Sequence, residues 1–273
     1  MNFEQFNDFE IKLEFEPAPR PERVHIGLVQ LANDHSLETD WSHLLREQAA
    51  LFSTRIFKEN GMTPEALDAV AASISDGAVL VGDGLPMDVM AFACTSASIV
   101  IGEEKVSKLL TKGRDAIPTT NPWSAAQAAF KHLGAKNVAV FSPYPTDVNF
   151  PLREQLLDAG FNVVGLTALG IMDDNMIHKV PLSSFEEGIE ILIKDGNVDV
   201  IFMSCTSLRA VEKIQYLEDK YGVPIVSSNS ALFWHSMYLC GKNAQCPGYG
   251  KLLSGEIPIS KDTVAKKEPV EVL

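Results

Sequence analysis

From residue 23 onward, short apolar runs alternate with amphipathic stretches. "RVHIGLVQL" at 23–31 is apolar almost throughout, the pattern of a strand covered on both faces. "SLETDWSHLLREQAALF" at 36–52 carries apolar residues at helical spacing, with Ser36 placed as its cap. "PEALDAVAASISDGAVLVG" at 64–82 predicts a second helix and "DVMAFAC" at 88–94 a second buried strand. A helix over 103–114, a short strand "DAIPTT" over 115–120 and a helix over 121–134, closed by Gly134, complete a first series. A second series follows, with strands predicted at 137–143, 161–169, 198–205 and 223–228 and helices at 151–160, 183–196, 208–222 and 229–241. Strands alternating with helices predict parallel sheets flanked by helices, an α/β fold.

The two series align. "DVMAFACTS" at 88–96 and "DVIFMSCTS" at 199–207 share Asp, Val, Cys, Thr and Ser. "IPTTNPWSAAQAAFKHLG" at 117–134 and "VPIVSSNSALFWHSMYLCG" at 223–241 each read as a strand, two hydroxyl residues, an Asn and a helix ending in Gly. A duplicated unit predicts two lobes related by a pseudo-twofold axis. Open parallel sheets bind ligands beyond the carboxyl ends of their strands, so the active site is expected in the cleft between the lobes. The expected divisions are an arm over 1–22, a first lobe over 23–120 plus 229–255, a second lobe over 121–228, and a tail over 256–273. The arm alternates Phe or Ile with Glu and Asp, and its Phe residues predict docking on a partner subunit, hence a homo-oligomer.

Charge narrows the partners. The chain has 273 residues and a net charge of −13, with no Lys/Arg-rich run. Nucleic-acid backbones and anionic membranes would be repelled. No apolar run reaches the ~18 residues of a membrane span, and "MNFEQFNDFEIKLEFEPAPRPER" lacks the pattern of a signal peptide, so a cytoplasmic location is expected. The four cysteines show no close pairing, and the six histidines are scattered without metal-ligand spacing. No metal and no organic cofactor is expected.

Chemistry is therefore sought in the repeated Cys-Thr-Ser. Both copies fall at strand ends, where Cys94 and Cys205 would face one cleft from opposite walls. If a helix starts after each Cys, its unpaired N–H groups favour a thiolate over a thiol. Those N–H groups and the hydroxyls of Thr95, Ser96, Thr206 and Ser207 suit a substrate carboxylate. Cys240 and Cys246 have no such surroundings. Asn121 and Asn229 read as caps of the helices that follow them. His35 and His178 lie near acidic residues and read as solvated or core histidines.

With these motifs in place, the chain resembles the aspartate/glutamate racemase superfamily, in its branch of maleate cis-trans isomerases, arylmalonate decarboxylases and ectoine-utilisation proteins. The likeness spans about residues 23–241 and rests on "IGLVQLANDHSLETD", "ACTSASIVIG", "SPY", "LGIMDD" and "SCTSLRAVEKIQYLEDKYGVPIVSSNSALFWHSMYLCG". The resemblance implies a cofactor-free isomerase or racemase acting at a carbon next to a carboxylate. Cys94 and Cys205 match the two catalytic thiols, one on each side of the substrate. Arylmalonate decarboxylases carry essentially only the second of these, so the presence of both departs from that pattern. Tyr144 in "SPY" matches a tyrosine that bonds the substrate carboxylate. The family's two Asn positions are read here as Asp34 and Asp174, and two carboxylates there would favour a nitrogen-bearing acid, an amino acid or an ectoine-related compound, over maleate. Asp34 could instead cap the helix that begins nearby, and Asp174 could be a loop or cap acid. A decarboxylase, and a binding protein that kept the cleft without turnover, are the remaining alternatives.

Overall fold

A computed structural model describes residues 2–256, apart from 83, 113, 115 and 116 and the side chain of residue 8. The expected tail beyond Glu256 lies outside the described residues, as do the first two positions of the strand expected over 115–120.

The arm begins with α1 (Phe3–Phe9), closed by a capping box between Asn2 and Gln5, with Phe3, Phe6 and Phe9 exposed. It reaches the first sheet through Arg20, which bonds the Pro86 carbonyl at 3.2 Å and pairs with Asp88. The first half then runs β1 (Val24–Leu31), α2 (Leu37–Leu45), β2 (Ala49–Ile56), α3 (Pro64–Ala69), α4 (Ala71–Leu80), β3 (Val89–Ala93), α5 (Thr95–Ile101), α6 (Glu103–Leu110) and β4 (Thr119–Thr120). The second runs α7 (Pro122–His132), β5 (Asn137–Ser142), α8 (Thr146–Asp158), β6 (Asn162–Ala168), α9 (Asp174–Ile177), α10 (Leu182–Ile193), β7 (Val200–Met203), α11 (Val211–Tyr221), β8 (Ile225–Ser227) and α12 (Ser228–Leu239).

The strands form two parallel four-stranded sheets of the same order, β2-β1-β3-β4 and β6-β5-β7-β8. This is the two-lobed α/β architecture expected from the repeat. Each half keeps one helix close to its sheet through a glycine. A Cβ on Gly77 of α4 would stand 2.6 Å from Ile56 and 3.2 Å from Val29. A Cβ on Gly188 of α10 would stand 2.5 Å from the Phe141 ring. A mid-helix glycine costs roughly 1 kcal/mol against alanine, and here it permits the close approach of helix to sheet.

Several elements differ from expectation, three of them in the main α/β series. The helix expected over 36–52 stops at Leu45, where Arg46 adopts φ 41°, and Ala49–Ile56 is instead the edge strand β2, in register with β1 from Val24↔Ala49. Its Ala and Leu residues favour helix locally, but pairing with a fully buried β1 decides the outcome. The helix expected over 64–82 divides at Val70 into α3 and α4. α8 begins at Thr146 and not at Pro151, which lies inside it. Proline suits a first helical turn, so Pro151 reads as a start in sequence.

The two halves share one core. α12 packs along α7 and touches β3 and β4. Trp41 of α2 meets Phe233 of α12 edge-on at 5.5 Å between centroids.

Candidate active site

The carboxyl ends of the central strands meet over one enclosed cavity of about 20 Å³. Its lining includes Cys94, Thr95, Ser96, Tyr144, Asp174, Cys205, Thr206 and Ser207, along with Asn33 and Lys58. Eight of the nine residues singled out from sequence thus converge; Asp34 is not among the lining residues. Such a volume holds about one water.

Cys94 follows β3 directly and is the N-cap of α5, with extended φ −153° and ψ 114°. Its sulfur accepts the Ala97 N–H at 3.5 Å and lies 3.6 Å from the Ser96 hydroxyl. The Ser98 hydroxyl holds the Cys94 carbonyl at 2.6 Å. Cys205 also ends a central strand, but the helix expected to begin near it starts only at Val211. Its loop is held by hydrogen bonds instead. The Cys205 N–H donates to the Ser228 hydroxyl at 3.0 Å, and Thr95 donates to that same oxygen at 2.8 Å, joining the two motifs. Asn229 donates to the Thr206 carbonyl and to Asp40, both at 2.8 Å, and Ser36 donates to the Ser207 carbonyl at 2.7 Å.

Several cap expectations change as a result. Ser36 makes no cap bond to α2; Asp34 does that work, its Oδ1 accepting from Ser36 N–H at 2.8 Å and Leu37 N–H at 3.0 Å. Asn121 caps α7 as expected, at 2.9 and 3.1 Å. Asn229 does not cap α12; Ser227 does, in a box with Ser230. His35 and His178 pack ring to ring at 4.8 Å outside the cavity lining, and burial, followed by the charge of His35, lowers the pKa of His178.

Burial disfavours the thiolate at both sulfurs. Burial pushes Cys94 up, against the lowering effect of Ala97 N–H and Ser96. Burial pushes Cys205 up to about 12, against the Ser207 N–H and Tyr144. The expectation that backbone N–H groups would favour the anion fails because removing the sulfur from water outweighs one or two weak donors. Tyr144 is fully buried, and its hydroxyl approaches Cys205 and Ser204 without a well-formed hydrogen bond to either. An unpartnered buried donor at a cavity wall is available to a ligand's acceptor.

Lys58 was not signalled by sequence. Its Nζ bonds Asp174 Oδ2 at 2.7 Å, with side chains 1% and 9% exposed. Asp174 Oδ2 also accepts from Gly61 N–H at 3.1 Å and Asn33 Nδ2 at 3.2 Å. Asn60 bonds both Asp174 N–H and Asp173. The loop after β2 is thereby stitched to the loop after β6 over the cavity. Of the two acids read from sequence, Asp174 is countered by an ammonium, while Asp34 uses Oδ1 to cap a helix and leaves its buried Oδ2 without a partner. Among the described residues, no cluster of three or more His, Cys, Asp and Glu side chains is placed to hold a metal ion, and no helix is long and apolar enough to cross a membrane.

Comparison with known proteins agrees with this geometry. A family model described as arylmalonate decarboxylase matches residues 39–253. The arylmalonate decarboxylase of Bordetella bronchiseptica is 32% identical over 203 residues, covering 70% of this chain and 81% of that protein. A maleate isomerase of Geobacillus stearothermophilus is 22% identical over 245 residues, covering 85% and 97%. Among solved structures, the maleate isomerase of Pseudomonas putida S16 has a TM-score of 0.78 at 24% identity, covering 85% of this chain and 98% of that one. The chain belongs to the arylmalonate decarboxylase family, in the aspartate/glutamate racemase-like branch that also holds maleate isomerases. It is an enzyme of this isomerase and decarboxylase group.

Proposed function

We propose that the protein is a cofactor-independent isomerase or racemase of a small carboxylic acid, with Cys94 and Cys205 acting from opposite sides of the substrate. The observation that carries this reading is the placement of both thiols, from equivalent strand ends, on one enclosed cavity. Tyr144, the N–H groups of the two Thr-Ser pairs and their hydroxyls would receive the carboxylate. One sulfur, once deprotonated, takes the proton from the carbon beside the carboxylate, or adds to an alkene there. The opposite thiol supplies a proton to the other face. Burial that raises both thiol pKa values also makes each thiolate, when formed, a strong base. With Asp174 paired to Lys58, maleate stands beside amino acids and ectoine-related acids as a substrate.

The test is turnover and α-carbon exchange in deuterated water over maleate, aspartate, glutamate and ectoine. Cys94→Ser and Cys205→Ser are each expected to lower kcat by ~10²-fold or more with the fold intact. Near-normal turnover in either variant refutes the two-thiol reading. The likeness to a decarboxylase favours a second reading, in which carbon dioxide is released and Cys205 alone suffices.

A further inference from the structure

Among the described residues that line the cavity, Lys58 is the one cation. Its three N–H bonds are all used, on Asp174 at 2.7 Å, the Gly61 carbonyl at 2.7 Å and the Glu59 carbonyl at 3.0 Å. Two of these bonds hold carbonyls of its own loop, and the third meets the one charged partner, Asp174, which comes from the equivalent loop of the other half. A buried carboxylate alone on this wall would repel an anionic ligand, and a buried ammonium alone would attract one. Paired, they present no net charge. Cys94 registers both, Lys58 pulling its pKa down and Asp174 pushing it up.

We propose that Lys58 is a specificity-determining residue: by holding Asp174 in a neutral pair, it lets the cavity accept a substrate with a second carboxylate besides the one at the reacting carbon. This rests on the carboxylic-acid reading above and adds the substrate class to it. A cationic second group is disfavoured, because Lys58 already occupies the place such a group would take on Asp174.

The pair of probes is maleate and isocrotonate, which differ by one carboxylate replaced with methyl. Their Kd values are measured by calorimetry on wild type, K58Q, D174N and K58Q/D174N, with folding checked by circular dichroism. Wild type is expected to bind maleate at least as tightly as isocrotonate. K58Q is expected to lose about tenfold or more for maleate relative to isocrotonate, and D174N to shift the ratio about tenfold the other way. The double variant returns the ratio to within about threefold of wild type. Should K58Q not fold, D174N and the double variant carry the test. Equal changes for both acids mean a purely structural pair and overturn the proposal alone. A wild type that prefers isocrotonate overturns it as well. A wild type that binds neither acid overturns the proposal together with the reading beneath it.

Discussion

The two Cys-Thr-Ser loops have the same sequence and the same place in their sheets, yet their backbones are held differently. After Cys94 the chain turns at once into α5, and the thiol is positioned as that helix's N-cap. After Cys205 there is no helix for five residues, and the loop hangs on side chains from elsewhere, Ser36, Asn229 and Ser228. The position of a strand end in a parallel sheet suffices to bring a thiol to the cleft. The helix is one way to fix it there, and a set of hydrogen bonds between distant side chains and the loop backbone is another.

The sharpest break of this comparison is Asn229→Ala. It leaves the Thr206 carbonyl and Asp40 buried without their shared donor, which is expected to cost about 3 kcal/mol of stability and to lower kcat tenfold or so through misplacement of Cys205. Chemical denaturation and steady-state kinetics read the two effects, and an unchanged kcat would mean that the loop does not need this clamp. Asp40 itself sharpens the picture through pH. Burial raises its pKa from 3.8 to about 7, so the native state holds a proton that the unfolded chain releases. The raised value means that this contribution is complete below pH ~4 and is lost as pH rises toward 7 and beyond. Asp40→Asn is therefore expected to gain at least ~2 kcal/mol on wild type between pH 4 and pH 8, measured by urea melts across that range. A flat difference would place Asp40 as an ordinary carboxylate. The smallest effect belongs to Asn121→Ala, the matched Asn of the other half. As a simple helix cap it is expected to cost about 1 kcal/mol with kcat changed less than about twofold. A large loss of activity there would erase the distinction between the halves.

Most of the architecture was readable because the residues that specify it are local. Apolar runs marked seven of the eight strands, and the repeated motif brought Cys94 and Cys205 together before any coordinates. β2 escaped because an edge strand is half exposed and takes its shape from its neighbour β1. Lys58 escaped because its meaning lies in Asp174, which is distant in sequence, and a lone loop lysine carries no pattern. Asn33 lines the cavity where Asp34 was expected, because the turn after β1 decides which of two adjacent side chains faces inward. Gly77 and Gly188 could have been found: they are separated by 111 positions, the same interval as Cys94 and Cys205.

The stitched loops above the cavity have a kinetic meaning. A carboxylic acid is larger than about 20 Å³, so its entry requires the lining to move, and the bonds from Lys58, Asn60 and Gly61 to Asp173 and Asp174 tie together two of the loops that would have to do so. Where such loops must open first, association is slower than diffusional encounter and follows the opening, commonly on microseconds to milliseconds. If product leaves across the same seam, its motion and not proton transfer at sulfur would set kcat, and a variant that weakens these bonds would then turn over faster.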